Sequence, residues 1–200
     1  NTTRGVYGGG WANPGASNVI QYLTFASTGN MTSFGTIAGS YTGYQPASCS
    51  SSTRGIFAGA DVGGNNNQIS YITISSTGNT TDFGDLYIGF DGASGSGNAT
   101  RGIFAQGYNG AFIDVIQYIT IASTGNSTDF GDCSNGSRLS SGSSNATRSV
   151  INEGAASNPY ASNTMGYITI GTTGNTSDFG DLTYSAGQAT ACSSSNGGTQ

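Results

Sequence analysis

The sequence predicts an all-β repeat protein, and three observations predict it. Tyr22, Tyr71, Tyr118 and Tyr167 each precede a phenylalanine, Phe34, Phe83, Phe130 and Phe179, by twelve residues. Arg4, Arg54, Arg101 and Arg148 stand 18, 17, 17 and 19 residues before those tyrosines. The segments around the tyrosines are rich in β-branched and aromatic residues, as strands are. A period of 47–50 residues marks units that need their neighbours to bury apolar faces. The chain therefore reads as one repeat domain over 1–200, with units near 3–52, 53–99, 100–146 and 147–200.

Each unit opens on an arginine segment such as Arg54-Gly-Ile-Phe-Ala-Gly59, a strand whose terminal glycines permit close backbone approach. A variable loop follows. The tyrosine segment comes next, as in Val115-Ile-Gln-Tyr-Ile-Thr-Ile121. It is apolar on both faces, whereas a surface strand alternates apolar with polar, so it is expected inside a sheet covered on both sides. Ser-Thr-Gly-Asn follows in three units and Thr-Thr-Gly-Asn in the fourth, read as a tight hairpin because Gly-Asn tolerates positive φ. The phenylalanine sits on the next short strand, within Asp-Phe-Gly-Asp-Leu in the second unit. A fourth strand is expected in the Ser/Gly-rich stretch before the next arginine, where the pattern is weak. Three clear strands and one weak one describe blades of a β-propeller-like array, either a closed ring or part of a larger propeller.

Composition narrows the function. Charged residues are 8 %, against about 25 % in ordinary domains, while Gly alone occupies 34 positions. Such text is often disordered, but strictly placed Tyr, Ile and Phe argue for a packed chain. There is no Lys and no His, and the net charge is -5. Without a basic cluster, neither nucleic acid nor an anionic membrane is an expected partner. No apolar run approaches the ~20 residues of a membrane span. The chain starts at Asn1 and stops where a further Thr-Arg-Gly is expected, and it is read as a processed product or a piece of something longer. Cys133 stands where Leu86 and Leu182 stand in sister units and reads as a small buried hydrophobe. Cys49 and Cys192 lie in Ser-rich segments and are candidates for a disulfide.

The order of arginine, apolar strand, glycines, loop, tyrosine strand, turn and aromatic resembles the kelch blade. The glycine doublet is reduced to Gly59-Ala60 and Gln106-Gly107, and becomes Glu153-Gly154 in the fourth unit; the aromatic is Phe rather than Trp. The text Tyr-Ile-Thr-Ile-Ala-Ser-Thr-Gly-Asn, with Asp-Phe-Gly-Asp-Leu and Arg-Gly-Ile-Phe, is similar to repeat proteins of tailed phages of cyanobacteria and aquatic bacteria. That resemblance covers all four units. It implies a virion structural or tail-fibre component, outside cells or on a virion surface, whose partners are other copies of itself or other fibre proteins.

Chemistry is hard to place. Without His or Lys the common general base, the Schiff-base amine and the Ser–His pair are missing. Asp82 with Asp85 is a carboxylate pair, but it recurs as Asp129/Asp132 and Asp178/Asp181, and catalytic residues rarely come in triplicate. The same pairs suit Ca²⁺ or, more simply, turns; the first unit has Ser33 and Thr36 there. The expectation is no enzyme, no cofactor and no metal. The four arginines are expected to pair with the repeated carboxylates or with backbone carbonyls. The tyrosines and phenylalanines are expected to be buried against their counterparts in neighbouring units.

Asn30, Asn79, Asn126 and Asn175 each begin an Asn-x-Ser/Thr sequon, as do Asn1, Asn98, Asn135 and Asn145. They are either turn residues or glycosylation sites of a glycoprotein. The variable loops carry Trp11, Asn13, Asn66, Tyr108, Asn109, Phe112 and Tyr160. Aromatics beside Asn suit stacking on sugar rings with hydrogen bonds to hydroxyls, so these residues are the candidate glycan-binding rim; otherwise they fill gaps between blades. Neither chain end reads as a polar cap, which predicts an oligomer or filament unless the chain closes on itself.

Overall fold

A computed structural model describes residues 1–12, 15–38, 45–60, 66–154 and 161–193. The described residues form strands and loops, without a helix. The first unit holds β1 (Arg4–Gly8), the short hairpin β2 (Trp11–Ala12) and β3 (Gly15–Ala16), β4 (Val19–Thr24) and β5 (Thr32–Thr36). The second holds β6 (Ala47–Ser50), β7 (Arg54–Ala58), β8 (Gln68–Thr73) and β9 (Thr81–Asp85). The third holds β10 (Ser94–Gly97), β11 (Arg101–Tyr108), β12 (Phe112–Thr120) and β13 (Thr128–Asp132). The fourth holds β14 (Ser141–Ser144), β15 (Arg148–Asn152), β16 (Ser162–Thr169) and β17 (Ser177–Ala186).

Sheet order follows chain order: β6-β7-β8-β9, β10-β11-β12-β13 and β14-β15-β16-β17, all antiparallel. The first sheet has three strands, β1-β4-β5. The weak Ser/Gly stretch is thus a real strand, the first of each complete sheet. Its small residues have a packing cause: a Cβ on Gly95 would collide with the backbone of Ser48 on the neighbouring sheet. At Gly95 the approach of the two first strands leaves no room for a side chain.

Arg and Thr end the central pairing, as in Arg54 opposite Thr73 and Arg101 opposite Thr120. The phenylalanine is the extra residue of a β-bulge: Ser70 faces Asp82 and Ile69 faces Gly84, so Phe83 has no opposite number. The bulge recurs in all four units. It turns the ring out of the ladder toward the next sheet.

Each core cluster lies between two successive sheets. Ile20 and Phe34 pack with Phe57, Ile72 and Ile74. Ile56, Ile69 and Phe83 pack with Phe104, Ile119 and Ile121. Ile103, Ile116 and Phe130 pack with Ile151, Ile168 and Ile170. The two-sided apolarity of the tyrosine strand follows, since alternate residues serve different clusters.

Two expectations need correction. The Gly-Asn segment is not a tight hairpin: residues 74–80 separate β8 from β9, and their last part binds the preceding sheet. The tyrosines are half-buried rather than buried, and each meets its own unit's phenylalanine edge-on at 5.8–6.1 Å. It is the phenylalanine that reaches the next unit, against an isoleucine pair. Phe34, Phe83 and Phe130 are buried, and Phe179 is 48 % exposed.

Phe83→Ala empties the boundary between the second and third sheets and is expected to cost ~3–5 kcal/mol in chemical denaturation. Tyr87→Ala, at a residue 62 % exposed four positions on, is expected to stay within about 0.5 kcal/mol of the parent. Equal losses would contradict the assignment of the core.

Candidate functional site

The residues that define the repeat converge at the boundary between units. The Arg54 guanidinium lies 4.6 Å from the centroid of its own Tyr71 ring, and Nη1 donates to the Ile121 carbonyl of the next unit at 2.8 Å. Arg4 does the same with Tyr22 and the Ile74 carbonyl, and Arg101 with Tyr118 and the Ile170 carbonyl. The planar cation suits both contacts, one face on the ring and one edge to the oxygen. The partners are therefore carbonyls and rings, not the repeated aspartates. Arg148 is exposed and stacks on Tyr167 at 4.7 Å, and its guanidinium has no hydrogen-bond acceptor among the described residues.

The glycine–asparagine segment completes the boundary. Gly78 N–H donates to the Phe34 carbonyl at 2.9 Å, and Thr80 N–H to the Thr36 carbonyl at 2.9 Å. Gly125 and Ser127 bind Phe83 and Asp85 in the same way, and Gly174 and Thr176 bind Phe130 and Asp132. The asparagine side chain answers in reverse: Oδ1 of Asn79, Asn126 and Asn175 accepts from the backbone N–H of Thr36, Asp85 and Asp132 at 2.9–3.0 Å. A Cβ on Gly35, Gly84 or Gly131 would strike the backbone of Gly78, Gly125 or Gly174. The Phe-Gly dipeptide is thus the seat for the following unit's loop. Asn79, Asn126 and Asn175 have a structural task whatever becomes of their sequons, whereas Asn30 has no hydrogen-bond partner among the described residues.

Asparagine has a second role, at the entry to the arginine strand. Oδ1 of Asn98 accepts from Thr100 N–H, Thr100 Oγ1–H and Arg101 N–H, all within 3.0 Å. Asn145 and Asn1 bind their Thr-Arg pairs in the same way, and Ser51 substitutes in the second unit. Asn98, Asn145 and Ser51 turn the chain from the Ser/Gly strand into the arginine strand, and Asn1 makes the same bonds ahead of β1. The signal was the fixed three-residue offset before arginine, which the sequon pattern overlay.

The aspartates offer little chemistry. Asp82, Asp85 and Asp129 are exposed on strand edges, and no group of three or more His, Cys, Asp or Glu among the described residues could hold a metal ion. Asp132 has its carboxyl pushed up by burial, then by the charges of Asp114 and Asp129. Glu153 is buried and its carboxylate accepts from Ser134 N–H and the Ser134 hydroxyl. The cysteines are unpaired, which corrects the Cys49–Cys192 disulfide. Burial lifts the Cys49 thiol to about 12 and, with help from Glu153, Asp114 and Asp132, raises that of Cys133.

Of the candidate rim, Asn13 and Tyr160 lie outside the described residues. Tyr108 and Phe112 pack edge-on at 5.3 Å across the hairpin that joins β11 to β12, with Asn109 at its tip. The Arg138 guanidinium covers Tyr108 at 5.2 Å. Trp11 stands 67 % exposed on the β2–β3 hairpin. Asn66 is engaged locally, its Oδ1 accepting from Gln68 N–H at 2.8 Å.

No protein-family model matches the chain, and no curated protein matches it in sequence.

Asn126→Ala removes the acceptor for Asp85 N–H and is expected to cost about 0.5–1.5 kcal/mol; Asn126→Asp keeps an acceptor oxygen and is expected to lose less. Arg101→Met removes both the carbonyl bond and the ring stacking, for about 1–3 kcal/mol. Thermal or urea unfolding of the three variants checks the order. An Asn126→Ala variant as stable as the parent would remove the asparagine from the account of the boundary.

Proposed function

We propose that the chain is a four-bladed, kelch-like β-propeller that serves as a non-enzymatic, structural and adhesive module of an extracellular assembly. A tailed-phage virion or tail fibre is the setting to which its repeat text points. One observation carries the reading: the side chains fixed by the repeat are engaged in joining units, while non-repeated aromatics occupy the variable loops. Arg4, Arg54 and Arg101 hold carbonyls, and the repeated asparagines hold backbone amides. Trp11 and the Tyr108–Phe112 pair are then what the loops offer a partner.

Aromatic faces beside amide groups favour sugar rings, which present an apolar C–H face and a hydroxyl edge. The partner class is therefore surface glycan, alongside other copies of the chain or other fibre proteins. A second reading, a self-assembling filament subunit, draws on the two uncovered ends. Phe25 is 64 % exposed on the first unit and Phe179 48 % exposed on the fourth.

Trp11 is the only tryptophan, so its emission reports directly on the first loop. Titration with bacterial surface polysaccharides is expected to shift that emission saturably, and Tyr108→Ala is expected to weaken binding of the same sugar. A flat response across a broad polysaccharide panel would overturn the glycan reading. Electron micrographs of native material then separate a virion part from a free filament.

A further inference from the structure

Among the described residues the first sheet lacks the strand that begins each four-stranded sheet. β7, β11 and β15 each pair with a Ser/Gly strand on the side away from the tyrosine strand, whereas β1 has no such partner among the described residues. A groove of about 880 Å³ runs along that bare edge. It is lined by Gly5 and Val6 of β1, by Cys49 of β6, by Gly55 and, from the far end of the chain, by Ser193.

Ser193 already occupies the register of a next first strand. Gly97 N–H donates to Ser144 Oγ at 3.2 Å, and Ser144 N–H donates to Ser193 Oγ at 3.4 Å. Gly97, Ser144 and Ser193 are therefore successive equivalents, 47 and 49 residues apart. The text agrees: Cys192-Ser193-Ser194-Ser195 repeats Cys49-Ser50-Ser51-Ser52.

The groove also has the right shape. At the second boundary the Cys49 sulfur sits over Gly102, where a Cβ would strike it, with Ile119 beside it. At the third boundary the same two positions are Ser96 and Ser149, whose hydroxyls lie 2.6 Å apart. At the first boundary Gly55 has the matching isoleucine contact, Ile72, but no residue in the sulfur's place. A cysteine above Gly55 would repeat the Cys49–Gly102 pair.

We infer that the chain closes its own ring, with Thr190–Ser193 seated as the missing strand of the first sheet. The register of the other sheets puts Ala191 opposite Tyr7, Cys192 opposite Val6 and Ser193 opposite Gly5, with the Cys192 sulfur over Gly55. The same closure brings the two uncovered ends together. Phe25 stands at the position of Ile74, Ile121 and Ile170, whose carbonyls accept from arginine, so its carbonyl is the acceptor that Arg148 lacks. Gly180, which has nothing within 4 Å of its Cβ position, becomes the seat for Gly29, and Asn30 Oδ1 takes the Asp181 N–H. The occupant is the chain's own segment because Ser193 lines the groove of the β1 to which it is covalently joined.

This inference rests on the propeller reading, and its test is separable from glycan binding. The native protein is titrated with Ellman's reagent, with sedimentation equilibrium on the same sample. Closure predicts no reactive thiol before denaturation, three after it, and a particle of 20.1 kDa. Cys49 and Cys133 are buried in the structure, and the Cys192→Ser variant tells whether a reactive thiol is Cys192. One fast-reacting thiol, abolished in Cys192→Ser, overturns closure and leaves the repeat array and its loops as described. A protected Cys192 in a particle of twice the mass also overturns it, since the strand is then seated in a second copy.

Discussion

The structure depends on one constraint: the backbone of each unit is completed by its neighbour. After the tyrosine strand the chain leaves its own sheet, and Gly78, Thr80 and their equivalents present N–H groups that their own unit does not satisfy. Unpaired backbone groups at a packed boundary are costly, so the preceding unit's bulged strand must lie alongside. The Phe-Gly step, the asparagine and the arginine all serve that meeting. The glycine lets two backbones approach, the asparagine returns a hydrogen bond, and the arginine ties a ring in one unit to a carbonyl in the next. Apolar burial adds the driving force; the backbone contacts set the register.

This arrangement explains why so little charge suffices. Five arginines serve 200 residues, and four of them recur at one position over a tyrosine ring. A side chain already holding a carbonyl and a ring is poorly placed to recognise a ligand, whereas Trp11 stands exposed on the β2–β3 hairpin. A scaffold of fixed joints carrying variable loops is a common way for repeat architectures to bind.

Much of the fold was legible because the repeat is strict. The fixed spacing from Tyr22 to Phe34, kept through Tyr167 to Phe179, located both strands, and apolarity on both faces placed the tyrosine strand between layers. The partner of each residue was less legible. Gly-Asn reports that a turn is permitted, not which backbone it will meet, so a loop crossing to the next sheet read as a local hairpin. Arg and Asp recur together and invited an ion pair, yet the guanidinium found a carbonyl 67–70 residues away. Ser94-Gly-Ser-Gly97 has little strand propensity; it is a strand because tight approach to Ser48 admits only small residues. Of the loop residues, Tyr108 and Phe112 were brought together as a pair, and nothing in their spacing distinguished that contact from a chance neighbour.

The central claim is that the units are joined through backbone in the Gly-Asn loops. Native-state hydrogen exchange at Gly78, Thr80, Gly125, Ser127, Gly174 and Thr176 tests it most directly. These amides lie outside the strands of their own sheets and, apart from Thr80 and Ser127, on residues that are not buried. The account predicts protection close to that of core-strand amides such as Ile72 and Ile119, lost only with the whole sheet boundary. Exchange at the rate of an open loop, with the core strands still protected, would contradict it and leave the units held by side-chain packing alone.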